Sequence, residues 1–329
     1  MTTAPESRAP ERPVSLFSVR DLHVHYGAAR AVDGVSFEWR KGEVLGIVGE
    51  SGCGKSTLAR TLLGLLRTAG GEIDVDGAPV RGGAELRALR QRVQMVFQDP
   101  YQTLNPRMRV RAIVSEPLVV QKVPEAEHAE RVDRALADVG LPADRFSDRY
   151  PHELSGGQRQ RVATAAALVL DPDGLICDEP VSMLDVSVQA QVLKVLMDLR
   201  ESRSLALLFI THDLGLAWAL CDRIAVMYLG RIVEHGTAEQ VIERPRHPYT
   251  QALVAAVPSP GREEGAKLIG GEPPDAAHIP TGCRLHPRCP YRFEPCDSDD
   301  PPLFAAEEDG HAAACLLLKT PSPSGSAPA

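Results

Sequence analysis

Eight consecutive residues of this 329-residue chain, Gly49-Glu50-Ser51-Gly52-Cys53-Gly54-Lys55-Ser56, have the types and spacing to hold a polyphosphate. Glycines let backbone N–H groups curl around phosphate oxygens, Lys55 brings a cation to the terminal phosphates, and the Ser56 hydroxyl can ligate Mg²⁺. Thr57 extends the same set. The run Val44-Leu45-Gly46-Ile47-Val48 precedes the loop, and Leu58, Leu62, Leu65 and Leu66 follow at helical spacing, which predicts a helix over 56–66. Strand, glycine loop and helix are the setting such a loop needs, since a helix N-terminus adds partial positive charge.

Two further segments complete a reaction centre for phosphoryl transfer to water. Gly174-Leu175-Ile176-Cys177-Asp178-Glu179 reads as a buried strand ending in two carboxylates, a costly placement unless a cation or a reacting group uses them. Asp178 is positioned to hold Mg²⁺ through its water shell, and Glu179 to act as the general base on the attacking water. Leu154-Ser155-Gly156-Gly157-Gln158 precedes a helical stretch over 159–170, giving a second cradle of N–H donors for an anion. Alone, that pentapeptide would be an ordinary serine cap with flexible glycines. Cys53, beside Lys55 and a helix N-terminus, is expected to be a reactive thiol.

These side chains must sit on a scaffold of alternating strands and helices. Strand-like runs at 174–177 and 205–210, each preceded by a helical stretch, predict βα alternation and a mainly parallel sheet with its functional loops at the strands' C-terminal ends. Residues 16–76 read as strand, turn and strand. The proline-punctuated stretch from 99 to about 160 reads as a helical insertion. The expected organisation is a leader over 1–13, a nucleotide-binding domain over 14–245, a Cys-rich extension over 246–318 and a Pro/Ser-rich tail over 319–329.

Composition narrows the setting. At 43% hydrophobic and 24% charged the chain is ordinary globular material, and its net charge of −8 argues against a nucleic-acid partner. No run approaches the roughly 20 apolar residues of a membrane-spanning helix. The N-terminus has no apolar signal core, so a cytosolic protein is expected, and its seven cysteines suggest metal or structural thiols ahead of disulfides.

Taken in order, the motifs resemble those of the ATP-binding cassette family, an α/β P-loop NTPase fold with a helical subdomain. The resemblance implies that Gln98, in Val96-Phe97-Gln98-Asp99-Pro100, senses the γ-phosphate and Mg²⁺ and relays to a transmembrane partner. It implies that Asp185 lies in a loop coupling two sites across a dimer, that His212 in Ile210-Thr211-His212-Asp213 contacts the γ-phosphate, and that Tyr26 stacks on adenine. Residues 154–158 would then act in trans, on ATP held by a second cassette. Val181 and Ala166 depart from the usual pattern, at positions where Thr and Arg are common, without removing a group assigned to the chemistry. A soluble cassette ATPase would commonly carry two cassettes or a long coiled coil, and a non-hydrolysing scaffold would lack Glu179 or His212.

Three segments narrow the resemblance: 98–108, 150–161 and His247-Pro248-Tyr249-Thr250-Gln251-Ala252-Leu253 look like those of oligopeptide and dipeptide importer ATPases, the wording after Gln98 being closer to the second of two such subunits. This implies a peripheral protein on the cytoplasmic face of the cell membrane, paired with a second ATPase subunit as a heterodimer or homodimer. Its other partners would be two permease subunits and, indirectly, a solute-binding protein. Import of nickel or another small solute is the nearest alternative. Cys283, Cys289, Cys296 and Cys315 form a C-x5-C-x6-C-x18-C pattern whose spacing suits either structural zinc or an iron–sulfur cluster. The resemblance favours a 4Fe-4S cluster.

Overall fold

Strand Val44–Val48 is buried at all five positions and Ala206–Thr211 at all six, as expected for strands covered on both faces. In the computed structural model, which describes residues 15–257, 269–306 and 310–319, they lie inside an eight-stranded sheet. The order is Phe304–Ala305, Ala312–Ala313, Arg231–Thr237, Arg223–Tyr228, Val44–Val48, Ala206–Thr211, Gly174–Asp178 and Val93–Val96. The last five of these are mutually parallel, as the βα alternation required. The leader, and the tail apart from Lys319, lie outside the described residues.

Side chains alternate across the central strand. Leu45 and Ile47 join one core with Leu58 and Leu62 of helix Lys55–Leu62 and with a four-stranded antiparallel sheet. That sheet is ordered Ala29–Arg40, Ser15–Tyr26, Gly70–Val75 and Ala78–Pro79. Its anchor is the fully buried Trp39, stacked on Phe17 at 5.5 Å. Val44 and Val48 face a second core shared with the helical layer. The helix after the glycine loop is shorter than its leucine spacing suggested. It stops at Leu62, Gly64 takes a left-handed φ of 62°, and Leu65 is half exposed.

The helical insertion is built from Val110–Val120, Glu125–Asp138 and Gly156–Leu168, packed through Leu118, Val132, Leu136, Val162 and Ala165. Its last helix crosses the border expected near residue 160. The C-terminal extension joins the main sheet, with Ala313 paired to Glu234 and Ala312 to His235. Beside this seam, Glu234 is fully buried, accepts from the backbone N–H groups of Arg246 and His247, and meets His311 Nε2 at 2.8 Å.

His247 caps helix Pro248–Ala255 by accepting the Tyr249 N–H on Nδ1, a bond that only the unprotonated nitrogen can accept. Burial pushes its pKa down from 6.5 to about 4. Between those values the unfolded chain binds one more proton than the folded one, so this residue's contribution rises with pH and is lost as pH falls through the window. The span corresponds to about 3 kcal/mol. Thermal unfolding should therefore show a falling midpoint from pH 7 to 4.5, and His247→Gln, which keeps an acceptor without titrating, should flatten that slope.

Candidate active site

The parallel register carries three functional segments to one sheet edge. Val48 pairs with Thr211 and Asp178 with Ile210, so the residues that follow, Gly49, His212 and Glu179, emerge side by side. Two glycines of the phosphate loop are required by close approach. A Cβ on Gly49 would lie 2.2 Å from the Met227 carbonyl oxygen, and one on Gly54, at φ 108°, 2.0 Å from that of Ala31. Lys55 is buried, and its Nζ donates to the loop's own carbonyls, Gly49 at 2.7 Å and Glu50 at 2.9 Å. The ammonium thus sits at the mouth of the cradle, held by groups that a phosphate can replace.

Ser56 Oγ donates to Asp178 Oδ1 at 3.0 Å, which brings together two of the three residues expected to hold Mg²⁺. Asp178 is almost fully buried, and burial raises its pKa against the opposing pull of Ser56, Arg60 and Lys55. A divalent cation would relieve that cost directly, so the donor set of hydroxyl and buried carboxylate fits the ion. Gln98 follows strand Val93–Val96, and its Nε2 donates to Glu179 Oε2 at 2.9 Å. His212 Nδ1 meets Glu179 Oε1 at 3.1 Å. Gln98, Glu179 and His212 therefore form one hydrogen-bonded chain centred on the carboxylate. Glu179 itself stands at φ 46°, a left-handed conformation costing a non-glycine residue on the order of 1–3 kcal/mol, held by its N–H bond to Ile210 O.

Leu154 is buried, while Ser155 caps helix Gly156–Leu168 in a reciprocal box. Its Oγ accepts the Gln158 N–H, and Gln158 Oε1 accepts the Ser155 N–H. Gly157 is needed for packing, since a Cβ there would meet Val188 Cγ1 at 2.3 Å. Asp185 precedes helix Val186–Arg203 without a side-chain cap bond, flanked by the exposed Met183 and Val186. Among the described residues no hydrogen bond joins 154–158 to the phosphate loop. Tyr26 is half exposed at the end of its strand, leaving a ring face open.

Cys53 differs from the expectation of a reactive thiol. It is buried, and burial raises its pKa despite Lys55 Nζ lying 3.8 Å away. Sequence proximity to a lysine conveyed the charge but not the desolvation, which is larger. The four C-terminal cysteines are near enough to act on one another's charge, but among the described residues their sulfurs do not form a group within 4.8 Å of one another. Burial pushes the Cys283 and Cys315 thiols up to about 11; Cys296 and Cys289 raise Cys283 further, and Cys283, Cys289 and Cys296 raise Cys315. The Cys283 N–H also bonds the Cys296 carbonyl at 2.9 Å.

Several contacts had no sequence signal because they join distant segments. Tyr249 Oη accepts the Glu50 N–H at 2.8 Å, and Arg288 grips the Glu50 carboxylate. Arg284 pairs with buried Asp33. His23, His25 and Asp33 place possible ligand atoms within 4.8 Å of one another. Asp33 is already compensated there by Arg284, by Arg30 at 3.7 Å and by His23 at 2.9 Å.

Comparison with known proteins identifies the family. Residues 32–182 match the family model described as ABC transporter, and residues 233–296 match that of the oligopeptide/dipeptide transporter C-terminal region. The chain is 46% identical over 319 residues, 92% of it and 94% of the relative, to the dipeptide transport ATP-binding protein DppF of Escherichia coli K12. The DppF of Haemophilus influenzae is 47% identical over 295 residues, covering 88% of this chain and 89% of its own. Among solved structures, cbiO1 of Clostridium perfringens, part of the ABC transporter complex cbiONQ, superposes with a TM-score of 0.64 at 33% identity, covering 70% of this chain and 91% of its own. The ATP-binding cassette MJ0796, solved as a post-hydrolysis dimer with ADP and Pi, gives 0.59 at 27% identity, covering 68% and 98%.

The geometry around Cys53 makes a direct prediction. Iodoacetamide should modify this thiol at least tenfold more slowly in the native chain than in the urea-unfolded chain, read by peptide mass spectrometry.

Proposed function

The chain belongs to the ABC transporter ATPase family, and from that premise we propose that it powers peptide import by hydrolysing ATP between itself and a second cassette. The observation that carries this reading is the Gln98–Glu179–His212 chain beside the phosphate loop, joined in one polypeptide to an extension of the oligopeptide/dipeptide transporter type. The domain reading is a cassette over 14–245 and an extension over 246–318.

Lys55 and the N–H groups of 49–57 would bind the phosphates, with Tyr26 stacked on adenine. Ser56, Asp178 and Gln98 would hold Mg²⁺, which when bound neutralises charge on the β and γ oxygens. Glu179 orients the attacking water and accepts its proton on a carboxylate oxygen. Both Glu179 oxygens are engaged, Oε1 by His212 and Oε2 by Gln98. His212 is exposed, so a γ-phosphate at the loop can draw it away and free Oε1 for water. Ser155 and the N-terminus of helix Gly156–Leu168 serve the partner's ATP, with Asp185 beside the joint. MJ0796, which is similar in fold, was solved as a dimer.

No helix among the described residues is long and apolar enough to cross a membrane, and contact with permease subunits is read as peripheral from the family resemblance. A groove of about 390 Å³ between the sheet edge and the helical layer suits that contact. It is lined by Leu65, Met95, Phe97, Leu104, Ile113 and Val120, and Phe97 adjoins Gln98. Motion at the γ-phosphate would thereby reach the permease.

In the extension, Cys283, Cys289, Cys296 and Cys315 would hold a 4Fe-4S cluster. Burial raises the Cys283, Cys289 and Cys315 thiols, and with Cys296 they are a soft donor set that a cation would stabilise as thiolates, the chemistry supplied being a cross-link of the extension.

The test is to purify the chain anaerobically with its membrane partners. ATPase activity should rise several-fold when solute-binding protein is loaded with di- or oligopeptides, and the preparation should carry about four irons per chain. Stimulation by nickel and not by peptide would overturn the cargo reading, and zinc without iron would overturn the cluster.

A further inference from the structure

Glu50 is a carboxylate inside a loop built to surround phosphates. Left unpaired, its charge would oppose the ligand. Its own carbonyl holds the Lys55 ammonium, so a displacement of this residue also displaces the catalytic cation. The structure fixes Glu50 from outside the cassette at both ends. Its N–H is taken by Tyr249 Oη at 2.8 Å, and its carboxylate by both Arg288 terminal nitrogens, Nη1 to Oε2 at 3.1 Å and Nη2 to Oε1 at 3.3 Å.

The Arg288 socket is well defined. Its side chain is only 8% exposed, its Nε donates to Gly270 O, and its guanidinium stands 5.8 Å from the Tyr228 ring centre. The Tyr228 ring in turn packs on Tyr249 at 4.7 Å. A bidentate, largely buried guanidinium is the arrangement that cancels a carboxylate charge and fixes its direction together.

We propose that Arg288 is a positioning residue for ATP binding: it neutralises Glu50 and holds the first turn of the phosphate loop, which makes the C-terminal extension part of the nucleotide site. Cys283 and Cys289 bracket its segment, so whatever orders those thiols also orders the clamp. The inference rests on the ATPase reading but not on the identity of any metal.

The experiment measures the dissociation constant of a fluorescent ATP analogue in the full chain carrying Glu179→Gln, which separates binding from turnover. Arg288→Met, which keeps the stem's packing, should weaken binding about tenfold, the scale of one charge-assisted pair lost from a half-buried site. The loss should shrink as salt is raised, because the exposed Glu50 charge is then screened. Adding Glu50→Gln should restore binding to within about twofold of the parent, since the repelling charge is gone. Arg288→Lys, which keeps the charge but loses the two-pronged grip, should weaken binding less than Arg288→Met and reads the same interaction should methionine unfold the extension. Unchanged binding in Arg288→Met, unchanged binding in Arg288→Lys should methionine unfold the extension, or failure of Glu50→Gln to restore would overturn the proposal. Failure of the parent itself to bind the analogue would count against the ATPase reading instead.

Discussion

The structure depends on the register of three parallel strands. Because Val48 is opposite Thr211 and Asp178 opposite Ile210, the phosphate loop, the acidic pair and the histidine loop leave the sheet at one edge. A slip of one residue would turn every side chain of a strand to the other face. That slip is opposed by two separate cores, one holding Leu45 and Ile47 and the other Val44 and Val48. Packing far from the nucleotide therefore sets the distances at the nucleotide. The left-handed Glu179 is the local cost of this arrangement, tolerated because the strand end before it and its bond to Ile210 over-determine its position.

Much of the site was legible because its chemistry is local in sequence. Lys55 and Ser56 follow their glycines directly, Asp178 and Glu179 end a continuous apolar strand, and Ser155 and Gln158 are a capping box three residues apart. Periodicity likewise located the buried strands and the insertion. It overran the helix after the loop because Leu65 keeps the spacing while Gly64 has already ended the helix. The reactive thiol expected at Cys53 was wrong for a related reason. Proximity to Lys55 can be read from the chain, whereas the burial that outweighs it comes from a core shared with residues such as Ile210 and Met227, distant in sequence.

The extension was legible only as a composition shift with four cysteines. Its integration was not, since Ala312 pairing with His235, His311 with Glu234 and Arg288 with Glu50 each span tens to hundreds of residues. Local sequence rules carry no information at such separations. The result is a cassette whose sheet edge, buried histidine network and phosphate loop all lean on the same C-terminal segment. Residues 233–296, matched to the oligopeptide/dipeptide transporter C-terminal region, include Glu234, His235 and Arg288.

The central claim is that Glu179, held between Gln98 and His212, is the base of a site completed by a second cassette. Its most direct test is single-turnover hydrolysis and sedimentation of the purified assembly carrying Glu179→Gln. The account predicts that ATP is retained unhydrolysed and the cassettes remain closed on each other, with turnover reduced by at least about a hundredfold. Turnover close to that of the unaltered assembly would contradict it and place the base elsewhere.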